Sequence, residues 1–100
     1  MKIYISLPIS GKDIKEVKQL SEIAKNKIIE KGHTPVSPLD VSPNTELSYA
    51  QHMGNDITAL LECDAIVFLG DWHLSKGCRL EMNAAVIYDK KIFSNLDSVL

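Results

Sequence analysis

The chain has 100 residues and a formal net charge of −2, with 45% apolar and 24% charged residues. This length suits one domain, expected here over residues 1–100, and the proportions are those of an ordinary globular protein. Because the lysines are spread along the chain, the sequence lacks the concentrated basic face with which proteins bind nucleic-acid polymers.

The first half of the chain predicts a strand, a helix and a second strand. Residues 2–7 alternate and are rich in β-forming side chains, and Pro8 ends this strand. Apolar residues at helical spacing predict a helix from Asp13 to Lys31, with Gly32 as its stop. Residues 33–38 form a short second strand that its prolines end early. The expected buried stripe of the helix is Ile14, Val17, Leu20, Ala24 and Ile28.

The second half predicts two more helices and two more strands. A turn cluster at 39–45 precedes a helix from Thr45 to Glu62, and the apolar run 64–69 is typical of a central strand covered on both faces. A third helix is predicted from Lys76 to Asp89 and a last short strand from Lys91 to Phe93. The residues expected to face inward are Ala50, Met53, Ile57, Leu60 and Leu61 in one helix and Leu80, Ala84 and Ile87 in the other.

This order of elements predicts an α/β fold with a parallel sheet and right-handed crossovers. Ligands of such sheets bind beyond the carboxyl ends of the strands, where the strand order reverses. We therefore expect the loops 8–12, 37–45 and 70–77 to meet at one site.

The apolar segments and the two cysteines indicate an intracellular protein without a metal site. No segment approaches the ~20 consecutive apolar residues of a membrane span, and no apolar run with a cleavage site marks a signal peptide, so a cytoplasmic location is expected. Cys63 and Cys78 form no CxxC pair and have no histidine at metal-ligand spacing. We interpret both as buried, reduced thiols.

Two carboxylates are candidates for chemistry. Glu81 is expected in the first turn of the third helix, where free N–H groups near Ser75 and Gly77 could hold a phosphate. The same pattern also fits a plain N-cap and an acid that favours a helix start. Asp56 lies at the edge of the buried stripe of the second helix, where apolar neighbours can raise the pKa of an acid towards values useful for proton transfer. Alternatively, its carboxylate simply reaches water.

The only tryptophan, Trp72, lies in the polar loop that precedes the third helix. Its ring could stack on a nucleobase, as aromatic side chains commonly do. It could equally cover the end of the hydrophobic core. The sequence leaves these two interpretations open.

Three segments together resemble the nucleoside 2-deoxyribosyltransferase superfamily, and most closely its short DUF4406-type branch. They are YISLPISG at 4–11, the pair formed by Asp56 and Asp64 eight residues further on, and GDWHLSKGCRLEMNAA at 70–85. The resemblance covers about residues 2–93. It implies a flavodoxin-like (Rossmann-like) three-layer fold, with a parallel sheet of four to five strands and helices on both faces. It also implies a homodimer or higher homo-oligomer.

The resemblance assigns roles to residues. Glu81 would attack the anomeric carbon and form a glycosyl-enzyme intermediate, Asp56 would assist proton movement, and Tyr4 would orient the nucleophile. No metal or organic cofactor is implied. The residues expected to bind substrate are Ser6, Pro8, Ile9, Gly11, Trp72, Ser75 and Gly77.

The function implied is N-glycosidic cleavage or deoxyribosyl transfer on a nucleoside or nucleoside 5′-monophosphate. Two departures from the pattern of the transferases favour hydrolysis over transfer. The segment after the last strand is short, and the nearest acid before Glu81, Asp71, does not match clearly in spacing. Two alternatives remain. One is a nucleotide-binding sensor without turnover, and the other is a glycohydrolase of NAD or another nucleotide derivative.

Overall fold

A computed structural model describes all of residues 1–100. Four parallel strands form one sheet in the spatial order β2-β1-β3-β4. The strands are β1 (Lys2–Ser6), β2 (Thr34–Val36), β3 (Ala65–Phe68) and β4 (Lys91–Phe93). The helices are α1 (Ile14–Glu30), α2 (Pro38–Val41), α3 (Tyr49–Leu61) and α4 (Lys76–Ile87), and two 3₁₀ turns lie at Trp72–Leu74 and Leu96–Ser98. None of these helices is long and apolar enough to cross a membrane.

The sheet is the middle of three layers, as predicted. Successive side chains of a strand point to opposite faces, so β1 supplies both halves of the core. Ile3 and Ile5 pack with Val17 of α1 in one cluster, whereas Tyr4 packs with Leu60 of α3 and with α4 residues in the other. The expectation of a parallel sheet with helices on both faces is confirmed.

The central strand β1 is also where the strand order reverses. The chain passes from β1 outwards to β2 and then returns across β1 to β3. Ser6 and Phe68 are paired at the carboxyl ends of these neighbouring strands. The loops that follow β1 and β3 therefore separate at this edge and leave a cleft between them.

The inward face of α4 differs from the prediction. Leu80 and Ile87 are 48% and 71% exposed, and the buried residues of the helix are Cys78, Glu81 and Ala85. Apolar periodicity placed Leu80 inside because it treated the neighbouring acid as a surface residue. The helix is instead rotated by one residue, because the buried acid has hydrogen-bond partners on β1.

The other two helices depart less from the prediction. In α1 the outer positions Ile14 and Leu20 are about half exposed, and Ser21 is buried in their place, where its hydroxyl lies 2.7 Å from that of Ser37. The predicted turn region 39–45 contains the short helix α2. The predicted start at Thr45 is wrong, because Ser48 forms a capping box with Gln51 and α3 begins at Tyr49.

Candidate active site

Glu81 lies in the second turn of α4, and the expectation that it lies in the first turn is wrong. Ser75 caps the helix by accepting a hydrogen bond from the Cys78 amide at 3.3 Å, so α4 begins at Lys76. Five residues separate the cap from Glu81, which is 4% exposed. The carboxylate therefore lies in the wall of the cleft, away from the helix start.

Two hydroxyl groups of β1 hold the two oxygens of this carboxylate. The Tyr4 hydroxyl donates to Glu81 Oε2 at 2.6 Å, and the Ser6 hydroxyl donates to Oε1 at 2.7 Å. The two donors lie two residues apart on the same face of β1, and both are fully buried. Tyr4 thus has the contact expected of it. Ser6, predicted to bind substrate, contacts Glu81 from below and does not line the cleft.

Burial and hydrogen bonding shift the pKa of Glu81 in opposite directions. Burial raises the pKa of Glu81 to about 7, while the hydrogen bonds from Tyr4 and Ser6 lower it and the nearby Asp56 charge raises it. Burial and the Glu81 charge also raise the pKa of Tyr4, so this hydroxyl remains protonated and donates. A carboxylate with a pKa near neutrality can be ionised for attack without a large cost.

Asp56 is the second buried carboxylate of the site. It is 7% exposed, and its Oδ1 has no hydrogen-bond partner in the protein. Burial raises the pKa of Asp56 to about 6, and the nearby His52 lowers it. Buried polar atoms are nearly always hydrogen-bonded, so an unpartnered oxygen at a cleft is a place for a donor from a ligand.

Glu81 and Asp56 both line a cleft of about 930 Å³. This volume is in the range of small-molecule sites and is ample for a mononucleotide. The predicted convergence of three loops is confirmed, because residues from all three line it: Ile9, Lys12, Ser42, Pro43, Asp71 and Ser75.

Four of the remaining predicted binding residues line the cleft, namely Pro8, Ile9, Ser75 and Gly77. Gly11 and Trp72 do not. Gly11 is exposed and supplies the left-handed backbone (φ 77°) of the turn before α1. Trp72 lies on Phe68, with ring centroids 4.5 Å apart, so it covers the end of the core rather than offering its face to a base.

Gly77 has a packing role that the sequence did not indicate. A Cβ atom at this position would lie 3.3 Å from both Met53 Sδ and Tyr49 Oη. The absent side chain lets the start of α4 approach α3 closely. Gly77, Tyr49 and Met53 all line the cleft, so this close approach of the two helices forms part of its wall.

Several charged and polar residues of the cleft were missed by sequence analysis. Lys12 and Asp71 form an ion pair of 3.1 Å that joins the loops after β1 and β3, and Lys18 and Lys76 also border the cleft.

On the α2 side of the cleft, His52 Nδ1 forms a hydrogen bond of 2.6 Å with the Ser42 hydroxyl. The only available signal for His52 was its spacing of four residues before Asp56, which places both on one helix face.

Residues 1–94 match the family model described as a domain of unknown function, DUF4406. The chain belongs to the DUF4406 family. The resemblance to this branch is thereby confirmed. No curated protein sequence matches the chain.

Two solved structures share the fold of this DUF4406 chain. One is a 2-deoxyribosyltransferase from the psychrotolerant bacterium Bacillus psychrosaccharolyticus, with a TM-score of 0.70 and 24% identity over 92% of this chain and 69% of that one. The other is a CMP N-glycosidase of Clostridium botulinum, with a TM-score of 0.64 and 22% identity over 92% of this chain and 68% of that one. The chain therefore shares the flavodoxin-like fold of these two structures.

Proposed function

We propose that this DUF4406 protein breaks the N-glycosidic bond of a nucleoside or nucleoside 5′-monophosphate, with Glu81 as nucleophile. The observation that carries the proposal is the Glu81 carboxylate, buried in a cleft wall and held at both oxygens by hydroxyls from β1. Glycosidic cleavage needs a fixed carboxylate that stabilises and then traps a cationic sugar carbon. The fold shared with a deoxyribosyltransferase and a nucleotide N-glycosidase supports this reaction class.

The reaction proceeds in two balanced steps. Glu81 attacks the anomeric carbon while the bond to the base nitrogen breaks, and the bonding electrons leave with the base, which takes a proton from the Asp56 carboxyl. Water then attacks the same carbon, the bond to Glu81 breaks, and the proton of the water passes to Asp56. In transfer, a second base replaces the water.

These steps require Glu81 and Asp56 to share one proton, as a coupled pair of carboxylates does. Glu81 must be ionised and Asp56 protonated, so the active form carries one proton on the pair. With the pKa of Asp56 raised to about 6 and that of Glu81 to about 7, the singly protonated pair is most abundant between these values, and the reactive arrangement with the proton on Asp56 is the minor form of that pair. A bell-shaped rate profile centred there is expected.

The start of α4 supports a 5′-phosphate on the substrate. Ser75 Oγ already accepts from the Cys78 amide, which leaves the amides of Lys76 and Gly77 free for an anion. The side chains of Lys12, Lys18 and Lys76 border the same cleft and add positive charge. We therefore infer that monophosphates react faster than the corresponding nucleosides.

A chromatographic assay for free base tests the proposal. Wild-type protein and Glu81→Ala are incubated with pooled nucleosides, 2′-deoxynucleosides, their 5′-monophosphates and NAD. We expect Glu81→Ala to lower base release by at least about 10³-fold, because the nucleophile is lost. Glu30→Gln, which changes an exposed acid of α1, is the control and should match wild type.

Each outcome has a distinct meaning. Wild-type rates in Glu81→Ala would contradict the mechanism. Nucleotide binding by calorimetry without base release would favour the sensor, and nicotinamide release alone would favour the NAD glycohydrolase. Homo-oligomerisation remains a separate prediction, which light scattering after size exclusion would test.

A further inference from the structure

A hydrogen-bonded cluster on the α2 side of the cleft has no part in the steps above. The Ser42 hydroxyl oxygen lies 2.6 Å from His52 Nδ1 and accepts a hydrogen bond from Asn55 Nδ2 at 3.1 Å. Ser42 is 9% exposed, and both Ser42 and His52 line the cleft. These two contacts to a buried hydroxyl hold the His52 ring in one orientation at the cleft wall.

The cluster favours one placement of the imidazole proton. Of the two hydrogen-bond partners of Ser42 Oγ, Asn55 Nδ2 can only donate, whereas His52 Nδ1 can accept. We therefore assign the Ser42 hydroxyl proton to the bond with His52 Nδ1, so that neutral His52 carries its proton on Nε2. Charged His52 carries protons on both nitrogens. In either state Nε2 is a hydrogen-bond donor, and Nδ1 is already occupied.

His52 and Asp56 lie one helical turn apart on α3, and both line the cleft. Their side chains start roughly 5–6 Å apart on one face of the helix, a spacing comparable with the breadth of a base. A base whose glycosidic nitrogen lies beside Asp56 would therefore turn its outer edge towards His52. Pro43 and Met53 supply apolar surface for the ring between them.

We propose that His52 is a specificity-determining residue that donates from Nε2 to an oxo group on the outer edge of the leaving base. The site then prefers 6-oxopurines and 4-oxopyrimidines over bases that carry an amino group at the same position. An amino group would place a donor against the Nε2 donor and leave both without a partner. This inference rests on the proposed function, because it takes Glu81 and Asp56 as the reacting end of the cleft.

Matched substrates test the proposal directly. Inosine and adenosine 5′-monophosphates, in ribo and deoxy forms, differ at the purine 6-position, and uridine and cytidine 5′-monophosphates differ at the pyrimidine 4-position. We expect wild type to favour the oxo member of each pair by about tenfold in kcat/KM, from the cost of unpaired donors. In His52→Phe the ratio should fall to within about twofold, because the ring remains and the donor is lost. Ser42→Ala should give an intermediate ratio, because Nδ1 is released and the imidazole can exchange tautomers.

A control variant and a binding experiment complete the test. His73→Phe changes an exposed histidine outside the cleft and should keep the wild-type ratio. A wild-type ratio near one, or a ratio that persists in His52→Phe, would overturn the inference. If wild type releases no base, the proposed function fails, and calorimetry with the same pairs decides this inference alone. Tighter binding of the oxo members that is lost in His52→Phe would support it, whereas equal binding or no binding would overturn it.

Discussion

The two faces of β1 carry buried side chains of different chemical character. Towards α1 the strand presents Ile3 and Ile5, which pack with apolar helix residues in the larger core cluster. Towards α3 and α4 it presents Tyr4 and Ser6, whose hydroxyls contact the buried Glu81 carboxylate. One face therefore stabilises the fold, and the other holds an acid whose burial costs stability, as is common at functional sites. Substitutions of Ile5, Glu81, Tyr4 and Ser6 test that division.

Ile5→Ala should affect stability far more than chemistry. Ile5 is fully buried among apolar side chains, so truncation should lower the free energy of unfolding by about 2–5 kcal/mol. Chemical denaturation measures this loss, and kcat per folded molecule should stay close to wild type. A large fall in kcat with unchanged stability would contradict the division of the strand faces.

Glu81→Gln should stabilise the protein at alkaline pH. The folded pKa of Glu81 is raised from 4.5 to about 7, so the native state binds more protons than the unfolded state between these values. Its contribution to stability is therefore present at low pH and is lost as pH rises through about 7. The wild-type free energy of unfolding should fall by about 3 kcal/mol from this group across that window.

Denaturation of both proteins at pH 5 and pH 8 isolates the Glu81 contribution, because the other carboxylates are common to both. Glu81→Gln should lack most of the fall between the two values. Equal pH dependence in the two proteins would show that Glu81 is not buried in its charged form.

Tyr4→Phe should lower kcat by roughly 10–100-fold with little change in KM, because a charge-assisted hydrogen bond to the Glu81 carboxylate is lost and Tyr4 does not line the cleft. Since that hydrogen bond lowers the pKa of Glu81, which is the higher of the two pKa values of the pair, the falling limb of the rate profile should move to higher pH. Tyr88→Phe, at an exposed position after α4, is the matched control. An unchanged profile would mean that Tyr4 has only a packing role.

Ser6→Ala should have the smallest effect, in the same direction. The loss of one hydroxyl donor from Glu81 Oε1 should lower kcat by about tenfold and raise the pKa of Glu81 slightly. Ser94→Ala, at an exposed position after β4, serves as the reference. If KM rises instead while kcat is unchanged, Ser6 contacts substrate as the sequence originally predicted.

Local sequence patterns predicted much of the fold and part of the site. The alternation of residues 2–7, the apolar run 64–69 and the helical spacing of 13–31 correspond closely to β1, β3 and α1. The loops predicted to converge do line one cleft. These features are set within a few residues of chain, where sequence patterns are informative.

Other features depend on contacts between distant residues. The orientation of α4 was predicted from Leu80 and Ile87, but Glu81 faces inward because Tyr4 and Ser6, 77 and 75 residues away, supply its hydrogen bonds. Hydrophobic periodicity treats a buried acid as a surface residue. It therefore fails where polar partners from another element stabilise that acid.

The order of strands and long helices, the edge of the sheet that carries the cleft and the family could all be predicted from the residues alone. The contacts of Ser6 with Glu81, of Trp72 with Phe68 and of Ser42 with His52 became visible only in the folded chain. Burial, hydrogen-bond partners and pKa depend on what packs around a side chain. That environment comes from residues far away in the chain.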